Sequence, residues 1–315
     1  MRIAVLSSPN SWYLSDLRRA AGNRHIIECV GFRNLHSTIV SGGRRSAEPV
    51  RSNGNRDGLR GASPSPSLVC AGETALNEFD AVLVRSMPPG SLEQVVFRMD
   101  ALAQLETSGV PVLNPPKAIE AAVDKYLTTA RLAAEGLRVP STAVAQTTDE
   151  ACELFAELGG DVVLKPLFGG EGRGLTRLSD PDLARRAFRL LEDLGGVIYL
   201  QEFIPHAGRD LRLLVVGERV LGMQRVSNGD WRTNISRGAR AEPLEVTLQL
   251  AELAHRCAAA IGAPLAGVDL LPGLDGELYA IEVNAVPGWQ ALARCTGVDV
   301  ARLVLDCLEK ARLSS

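Results

Sequence analysis

Apolar runs in the first third of the chain predict strands that alternate with helices. Strands are expected at residues 2–8, 25–32, 79–86 and 110–116, and helices at 11–22 and 91–109. The strands are short and continuously apolar, whereas the helices carry apolar residues three or four positions apart. Because parallel strands need helical crossovers, this alternation predicts a small parallel α/β domain over residues 1–116.

The remainder of the chain has a different pattern. Strands are expected at residues 162–167, 197–203, 210–226, 265–271 and 277–284, and helices at 118–136, 149–159, 244–262 and 298–313. Several strands follow one another without a helix between them, which does not suit a doubly wound sheet. We therefore expect two α+β lobes, at residues 117–197 and 198–315.

One segment lacks this patterning. Residues 41–67 are rich in Gly, Ser, Pro, Asn and Arg, and they show almost no apolar periodicity. Such a composition predicts a long, mobile loop or insertion. Its arginines outnumber its acids, which is compatible with a solvated surface loop or with an arm that binds a polyanion.

Composition excludes several classes of protein. The formal net charge of -3 gives no bulk attraction to nucleic acid. No apolar run reaches the roughly 18 residues of a membrane helix, and the N-terminus becomes polar too soon for a signal peptide. The six cysteines are scattered without a C-x-x-C motif. They indicate reduced thiols and a cytoplasmic protein rather than a disulfide or metal framework.

The strongest candidate chemistry lies near the C-terminus, in the segments LAGVDLL and LYAIEVNAVPG. Asp275 and Gly276 between them suit a two-residue type I′ turn, which would place Asp269 opposite Glu282. Glu282 and Asn284 share one strand face, so three oxygen ligands converge. Mg²⁺ prefers such ligands together with nucleotide phosphates. An exposed hairpin face with unrelated acids is the alternative.

A glycine-rich segment is a candidate phosphate site. Lys165 ends a predicted strand, and the stretch FGGEGRG with Gly170, Gly172 and Gly174 follows it. Glycine allows consecutive N–H groups to approach an anion. A strand follows the stretch and G-K-[ST] is missing, so it fits neither a dinucleotide fold nor a P-loop. A plain hairpin turn remains the alternative.

Further polar residues fit a bound nucleotide. Glu202 and Phe203 end a strand and lie where backbone groups can reach an adenine edge; a plain strand end is the alternative. Arg232, Asn234 and Arg237 follow in a polar stretch. The planar fork of arginine pairs with phosphate or carboxylate oxygens, although surface arginines give the same pattern. Lys125 lies in a predicted helix, where a solvated position is the common case.

These segments occur in an order that resembles the ATP-grasp superfamily, specifically the RimK-like amino-acid ligases. The resemblance covers almost the whole chain and rests on DLRLLVVGERV, DWRTNISRG, LAGVDLLPG and IEVNAVPGWQ. It implies a pre-ATP-grasp α/β domain followed by two ATP-grasp lobes. It also implies roles for individual residues: ATP phosphates at Lys125, Lys165, Arg232, Thr233 and Asn234, adenine at Glu202 and Phe203, ribose at Asp210, and metal at Asp269, Glu282 and Asn284.

The resemblance implies an ATP-dependent carboxylate–amine ligase that forms an amide through an acyl phosphate. ATP and Mg²⁺ are the expected cofactors, with Mn²⁺ as an alternative metal, and Lys165, Arg232 and Arg237 are the expected catalytic residues. FGGEGRG resembles the loop of ligases linked to tetrahydromethanopterin more than that of ribosomal-protein modifiers. We therefore expect a small acceptor and glutamate, with no nucleic acid or membrane partner.

Three other functions stay open at this point: a glutamate ligase for a protein tail, a carboxylate kinase-like enzyme, and an inactive nucleotide-binding scaffold. A homo-oligomer is also compatible with the sequence.

Overall fold

A computed structural model describes residues 1–39, 67–169 and 174–314 of the chain. The predicted long loop at 41–67 lies almost entirely outside these residues, as do Gly170 and Gly172. The side chain of Arg237 is likewise not among those described.

The N-terminal domain is built on a parallel sheet. Its strands are β1 (Arg2–Leu6), β2 (Ile26–Val30), β6 (Ala81–Val84) and β7 (Val112–Leu113), in the order β2-β1-β6-β7. Helices α1 (Trp12–Ala21) and α2 (Leu92–Thr107) connect them. Helix α2 begins at a capping box, in which Ser91 and Gln94 satisfy each other's backbone N–H groups. The predicted parallel α/β domain is therefore confirmed.

A second, antiparallel sheet was not predicted from the sequence. It contains β3 (Leu35–Ile39), β4 (Ser67–Ala71) and β5 (Thr74–Ala75). Strands β3 and β4 flank the segment predicted as a long loop, so their pairing joins residues far apart in the chain. Local sequence pattern carries no signal for such a pairing.

The first lobe carries an antiparallel sheet in the order β10-β9-β11-β8. These strands are β8 (Thr142–Ala145), β9 (Val162–Lys165), β10 (Thr176–Leu178) and β11 (Ile198–Glu202). Helices α3 (Pro116–Val123), α4 (Lys125–Ala134), α5 (Thr148–Glu157) and α6 (Pro181–Asp193) belong to the same part of the chain. Phe155 and Phe188 meet in its core, with ring centroids 6.3 Å apart.

Two sequence expectations in this lobe need correction. The single helix expected at 118–136 is two helices, because Asp124 leaves the helical conformation and accepts a hydrogen bond from the N–H of Leu127 as the N-cap of α4. Lys125 is thereby the first residue of a helix. Helix α6 was missed, although Asp180 followed by Pro181 is a helix-start signal.

The second lobe carries a five-stranded antiparallel sheet in the order β14-β13-β12-β15-β16. Its strands are β12 (Arg209–Val216), β13 (Arg219–Val226), β14 (Arg240–Pro243), β15 (Leu265–Pro272) and β16 (Leu278–Asn284). Helices α7 (Leu248–Ile261), α8 (Gln290–Thr296) and α9 (Val300–Ser314) complete it. Since β11 pairs with the first lobe, the change of sheet falls after Glu202 and not at the expected boundary of 198.

The C-terminal part of the chain packs back onto the N-terminal domain. Helix α9 lies against α1, and Arg19 pairs with Asp299 at 2.7 Å. Asn114, buried at the end of β7, donates hydrogen bonds to the carbonyl oxygens of Leu265 and Ala285 and accepts one from the N–H of Leu265 at 3.0 Å. These contacts hold the ends of the parallel sheet beside the second lobe.

Candidate active site

A cleft between the two lobe sheets gathers most of the predicted site residues; we call it the main cleft. It encloses about 870 Å³, counting the part open to solvent, which is in the range of small-ligand sites. Ten of the predicted residues line it: Lys125, Lys165, Glu202, Phe203, Asp210, Arg232, Thr233, Asn234, Asp269 and Glu282. These residues are spread over more than 150 positions of the chain, and the fold brings them together.

Asp269 lies opposite Glu282 on neighbouring strands, as predicted, although the predicted turn is wrong. The N–H of Gly276 donates to the carbonyl of Gly273 at 3.1 Å, so Leu274 and Asp275 occupy the centre of the turn. This shifts the pairing by one residue relative to a two-residue type I′ turn. A bulge at Ile281 shifts it back, and the predicted pairing is restored at the site.

Asp269 is the centre of a buried ion cluster. Its Oδ1 accepts a hydrogen bond from Nη1 of Arg212 at 2.5 Å, and its Oδ2 accepts one from Nη2 of Arg225 at 2.8 Å. Arg225 also donates to both carboxylate oxygens of Asp210, at 2.7 and 2.6 Å. Burial by itself would raise the pKa of Asp269, but the two arginines outweigh it and lower the pKa.

Sequence reasoning assigned Arg212 and Arg225 no individual role beyond the general affinity of arginine for phosphate and carboxylate oxygens. Their positions follow from strand pairing, because Arg212 lies opposite Asp269 and Arg225 lies opposite Asp210. Breaking such a buried pair leaves an uncompensated charge, so the cluster fixes both aspartates rigidly.

Glu282 and Asn284 extend the row of oxygen atoms along β16. Burial raises the pKa of Glu282 and the nearby charge of Asp269 adds to this, while Arg212, Lys125 and Lys165 oppose the shift. Asn284 Oδ1 accepts a hydrogen bond from the N–H of Val286 at 2.8 Å, which orients its amide. Carboxylate and amide oxygens are the donors that Mg²⁺ prefers, so these residues fit the expected cation. Within the described residues, no group of three or more His, Cys, Asp or Glu side chains is placed to hold a metal ion. The predicted ligand set contains only two residues of these types, Asp269 and Glu282, because its third member, Asn284, is an amide.

Two lysines face this negative charge. Lys125 Nζ donates to the carbonyl of Gly169 at 2.6 Å, and burial lowers its pKa. Lys165 Nζ donates to the side-chain oxygen of Gln201. Burial lowers the pKa of Lys165 to about 8, with Glu282 opposing the shift and Lys125 adding to it. Both lysines thus hold neutral oxygen partners, and their ammonium groups are cations of the kind that bind phosphate oxygens.

Gly174 lies beside the cleft and does not line it. It has a φ of +74°, and a Cβ there would come within 2.7 Å of the Pro166 ring. A glycine is therefore required at this position by the backbone, and its cofactor role stays a prediction.

The aromatic side chains of Phe203 and Trp231 also line the main cleft. The Phe203 ring has the guanidinium of Arg177 at 3.5 Å from its centroid and the ring of Trp231 at 5.9 Å. The backbone N–H groups of Glu202 and Phe203 already donate to the carbonyls of Ser141 and Asp161, so they are not free for an adenine edge. Trp231 and Arg177 were not predicted; the sequence offered no periodic signal for either residue.

The remaining predicted residues are held by other protein groups. Arg232 pairs with Asp230 at 2.9 Å, and Thr233 donates a hydrogen bond to Asp210. The ribose role of Asp210 and the phosphate role of Arg232 therefore require sharing of these groups, and both roles stay predictions.

A second cavity adjoins the main cleft and encloses about 1290 Å³, counting the part open to solvent. The two share four lining residues: Arg225, Asn234, Asp269 and Glu282. The second cavity also reaches Asn284, Arg212 and, from the N-terminal domain, Tyr13 and Arg85. Two ligands can thus meet at the shared wall.

Comparison with known proteins places this geometry in context. A sequence profile of the RimK-like ATP-grasp domain matches residues 122–308. A tetrahydromethanopterin:alpha-L-glutamate ligase of Methanosarcina acetivorans is 32% identical over 97% of both chains. A ribosomal protein bS6–L-glutamate ligase of Escherichia coli is 30% identical over 98% of this chain and 96% of the relative.

Solved structures agree on the fold. The ATP-grasp ligase PsnB, complexed with a variant of its minimal precursor, Mg and ADP, superposes with a TM-score of 0.72 over 98% of both chains at 21% identity. A RimK domain ATP-grasp protein from Sphaerobacter thermophilus gives a TM-score of 0.68 at 22% identity, over 98% of this chain and 100% of that chain. In the described part of the chain, no helix has the length and hydrophobicity needed to span a membrane.

Proposed function

Because the chain belongs to the RimK-like ATP-grasp family, and is therefore an ATP-dependent C–N ligase, we propose that it joins glutamate to a small cofactor of the tetrahydromethanopterin type. The observation that carries this proposal is the wall shared by the main cleft and the second cavity. ATP would occupy the main cleft and the acceptor the second cavity, with the reacting groups meeting at Asp269 and Glu282.

The proposed reaction has two steps. An oxygen of the acceptor carboxylate attacks the γ-phosphorus of ATP, and ADP leaves. The resulting acyl phosphate can release phosphate, whereas the free carboxylate would have to release an oxide ion. The amine of glutamate then attacks the carbonyl carbon, the bond from carbon to the phosphate oxygen breaks, and the nitrogen loses a proton. The product is an amide.

The protein supplies position and charge for these steps. Lys125 and Lys165 would hold the phosphates, while Asp269, Glu282 and Asn284 would hold Mg²⁺. When bound, Mg²⁺ neutralises phosphate charge during the transfer. Arg232 and Arg237 would stabilise the oxyanion that forms at the carbonyl carbon. We propose that Mn²⁺ can replace Mg²⁺ at these residues, because it binds the same kinds of oxygen ligand.

Two observations support a small acceptor. The relative from Methanosarcina acetivorans, whose name specifies tetrahydromethanopterin, aligns over 97% of this chain. The net charge of -3 gives no bulk attraction to a ribosome. The bS6 ligase of Escherichia coli supports a second candidate acceptor, a protein tail.

Mass spectrometry tests the proposal. The enzyme is incubated with ATP, Mg²⁺ and L-glutamate, together with tetrahydromethanopterin or with bS6. A mass increase of one glutamate residue or more on the pterin supports the proposal, and an increase on bS6 alone transfers the function to a protein acceptor. ADP release without any amide would indicate a kinase-like enzyme instead.

Matched variants make the test specific. Lys165→Ala should lose the product because the main cleft loses a phosphate-binding cation. Lys117→Ala is the control, since Lys117 is exposed, pairs with Glu120 at 2.7 Å and lines neither the main cleft nor the second cavity.

Further parts of the proposal concern organisation. We assign residues 1–116 to the N-terminal domain and move the boundary between the lobes to the segment that follows Glu202, because β11 pairs with the first lobe. All six cysteines are unpaired, which supports the cytoplasm as the compartment. A homo-oligomer remains part of the proposal, and size-exclusion chromatography with light scattering tests it.

A further inference from the structure

Arg85 is a buried cation that has no acidic partner among the residues the structure describes. It follows β6 directly, and only 5% of its surface is exposed. Nη2 donates to the carbonyl of Pro287 at 2.8 Å. Nε and Nη1, which carry most of the N–H groups of the side chain, have no hydrogen-bond acceptor among the described residues. A buried charge in a protein is normally paired, so this one calls for a ligand.

The guanidinium is held in one orientation. It lies 4.1 Å from the centroid of the Trp289 ring and 4.7 Å from that of the Tyr13 ring. Trp289 is fully buried and donates from Nε1 to Asp16 at 3.0 Å. Burial lowers the pKa of Arg85 to about 10, so the side chain still carries its charge at neutral pH. Arg85 is thus a rigid and positively charged donor.

Its place in the fold is one where α/β sheets bind ligands. In the strand order β2-β1-β6-β7, β2 is added on one side of β1, and β6 and β7 are added on the other side. The order therefore reverses between β1 and β6, and Arg85 lies at the C-terminal end of β6. Its backbone N–H donates to the carbonyl of Leu6, the last residue of β1. Ligands of open α/β sheets bind at the carboxyl ends of strands at such a reversal.

Arg85 lines the second cavity, which it shares with Glu282 and Asn284, and it does not line the main cleft. A carboxylate that is being phosphorylated must reach the nucleotide in the main cleft, beside Lys125 and Lys165. An anion bound at Arg85 would therefore be a different group, one that remains intact through the reaction. Planar bidentate pairing with a carboxylate is the contact for which a guanidinium is suited.

We propose that Arg85 binds a non-reacting carboxylate of a substrate in the second cavity, and so selects for acidic substrates. This inference rests on the proposed ligase function. The carboxylate comes from one of two sources, the incoming amino acid or the acceptor, and the experiment separates them.

Binding measured by calorimetry tests the proposal without relying on turnover. Enzyme saturated with Mg²⁺ and a non-hydrolysable ATP analogue is titrated with L-glutamate in one arm and with tetrahydromethanopterin in the other. In Arg85→Gln we expect the Kd of one of these ligands to rise at least tenfold, while the Kd of the ATP analogue stays within twofold. Arg85→Lys keeps the positive charge but lacks the planar guanidinium, so we expect the Kd of the same ligand to rise less than in Arg85→Gln.

Arg98→Gln is the matched control. Arg98 is also buried in the N-terminal domain, donates to the carbonyl of Pro88 at 2.7 Å and lies over Phe32, but it lines neither cavity. We expect Arg98→Gln to leave all three Kd values within twofold of the wild type. The arm in which Arg85→Gln weakens binding identifies the source of the carboxylate.

Several outcomes would overturn the proposal. Unchanged Kd values in both arms would show that Arg85 binds no substrate carboxylate. A joint loss of nucleotide and substrate affinity with a lower Tm would show that Arg85 only connects Tyr13, Trp289 and Pro287.

A wild type that binds neither substrate contradicts the proposed substrates, and a third probe then decides on Arg85. Glutarate, a minimal dicarboxylate, should raise the Tm of the wild type and of Arg98→Gln but not that of Arg85→Gln. The absence of a glutarate shift in the wild type would count against the site itself.

Discussion

Lys165 should make nucleotide affinity depend on pH, because its pKa lies at about 8 instead of 10.5. Burial causes the shift, and the neighbouring Lys125 adds to it. An anionic nucleotide favours the ammonium form, so binding raises the pKa again. Affinity is therefore full below pH 8 and declines as the pH rises through that value.

The magnitude follows from the proton occupancy of the free enzyme. With a pKa of about 8, roughly nine-tenths of Lys165 is charged at pH 7 and roughly one-tenth at pH 9. If only the charged form binds, the Kd of the nucleotide rises about tenfold over this interval, which corresponds to about 1.4 kcal/mol. At pH 8, binding should take up about half a proton.

Calorimetry with a non-hydrolysable ATP analogue and constant Mg²⁺ measures both quantities, because buffers of different ionisation enthalpy report the proton uptake. Arginine stays charged throughout this range, so Lys165→Arg should abolish the decline whatever its absolute affinity. Lys117→Arg, on the exposed surface, should retain it. A Kd that stays constant from pH 7 to pH 9 in the wild type would refute the reasoning, as would an equal decline in Lys165→Arg.

Three further predictions concern stability. Asn114→Leu removes hydrogen bonds to buried backbone groups of Leu265 and Ala285 and should lower the free energy of unfolding in urea by about 3 kcal/mol; a loss below 1 kcal/mol would contradict the role of this contact. The pKa of Glu282 is raised in the folded protein, so its charged form destabilises the fold at any pH above that pKa. Glu282→Gln should therefore raise the urea midpoint at pH 8 while it abolishes Mg²⁺-dependent amide formation. A lower urea midpoint would contradict this assignment. Phe188→Ala empties a fully buried position in the first lobe and should cost about 3–5 kcal/mol in the same assay, and a change under 1 kcal/mol would show that the lobe core is not packed as described.

Strand and helix positions were largely determined by local sequence. Continuous apolar runs predicted β1, β2 and β6, and the adjacent strands of the second half correctly indicated two α+β lobes. Hydrophobic periodicity reflects which face of an element is buried, so it can be recognised before the fold is known.

The pairing of Asp269 with Glu282 shows how local reasoning can reach a correct result through a wrong step. Both strand faces were predicted correctly, yet the turn is centred one residue earlier and a bulge at Ile281 compensates. Bulges respond to packing between neighbouring elements, and the sequence of the hairpin alone does not reveal them.

Tertiary structure alone decided the charges and partners of the site. The buried cluster of Arg212, Arg225, Asp210 and Asp269 arises because three strands place those residues side by side. The sequence places Arg85 only within the strand predicted at 79–86, and nothing near it in the sequence shows that it faces the second cavity. The sequence determined the types of chemistry that the chain carries, through its residues and their order. Which groups meet, and whether Arg85 finds an acidic partner among the described residues, depended on contacts between residues far apart in the chain, and these exist only in the folded protein.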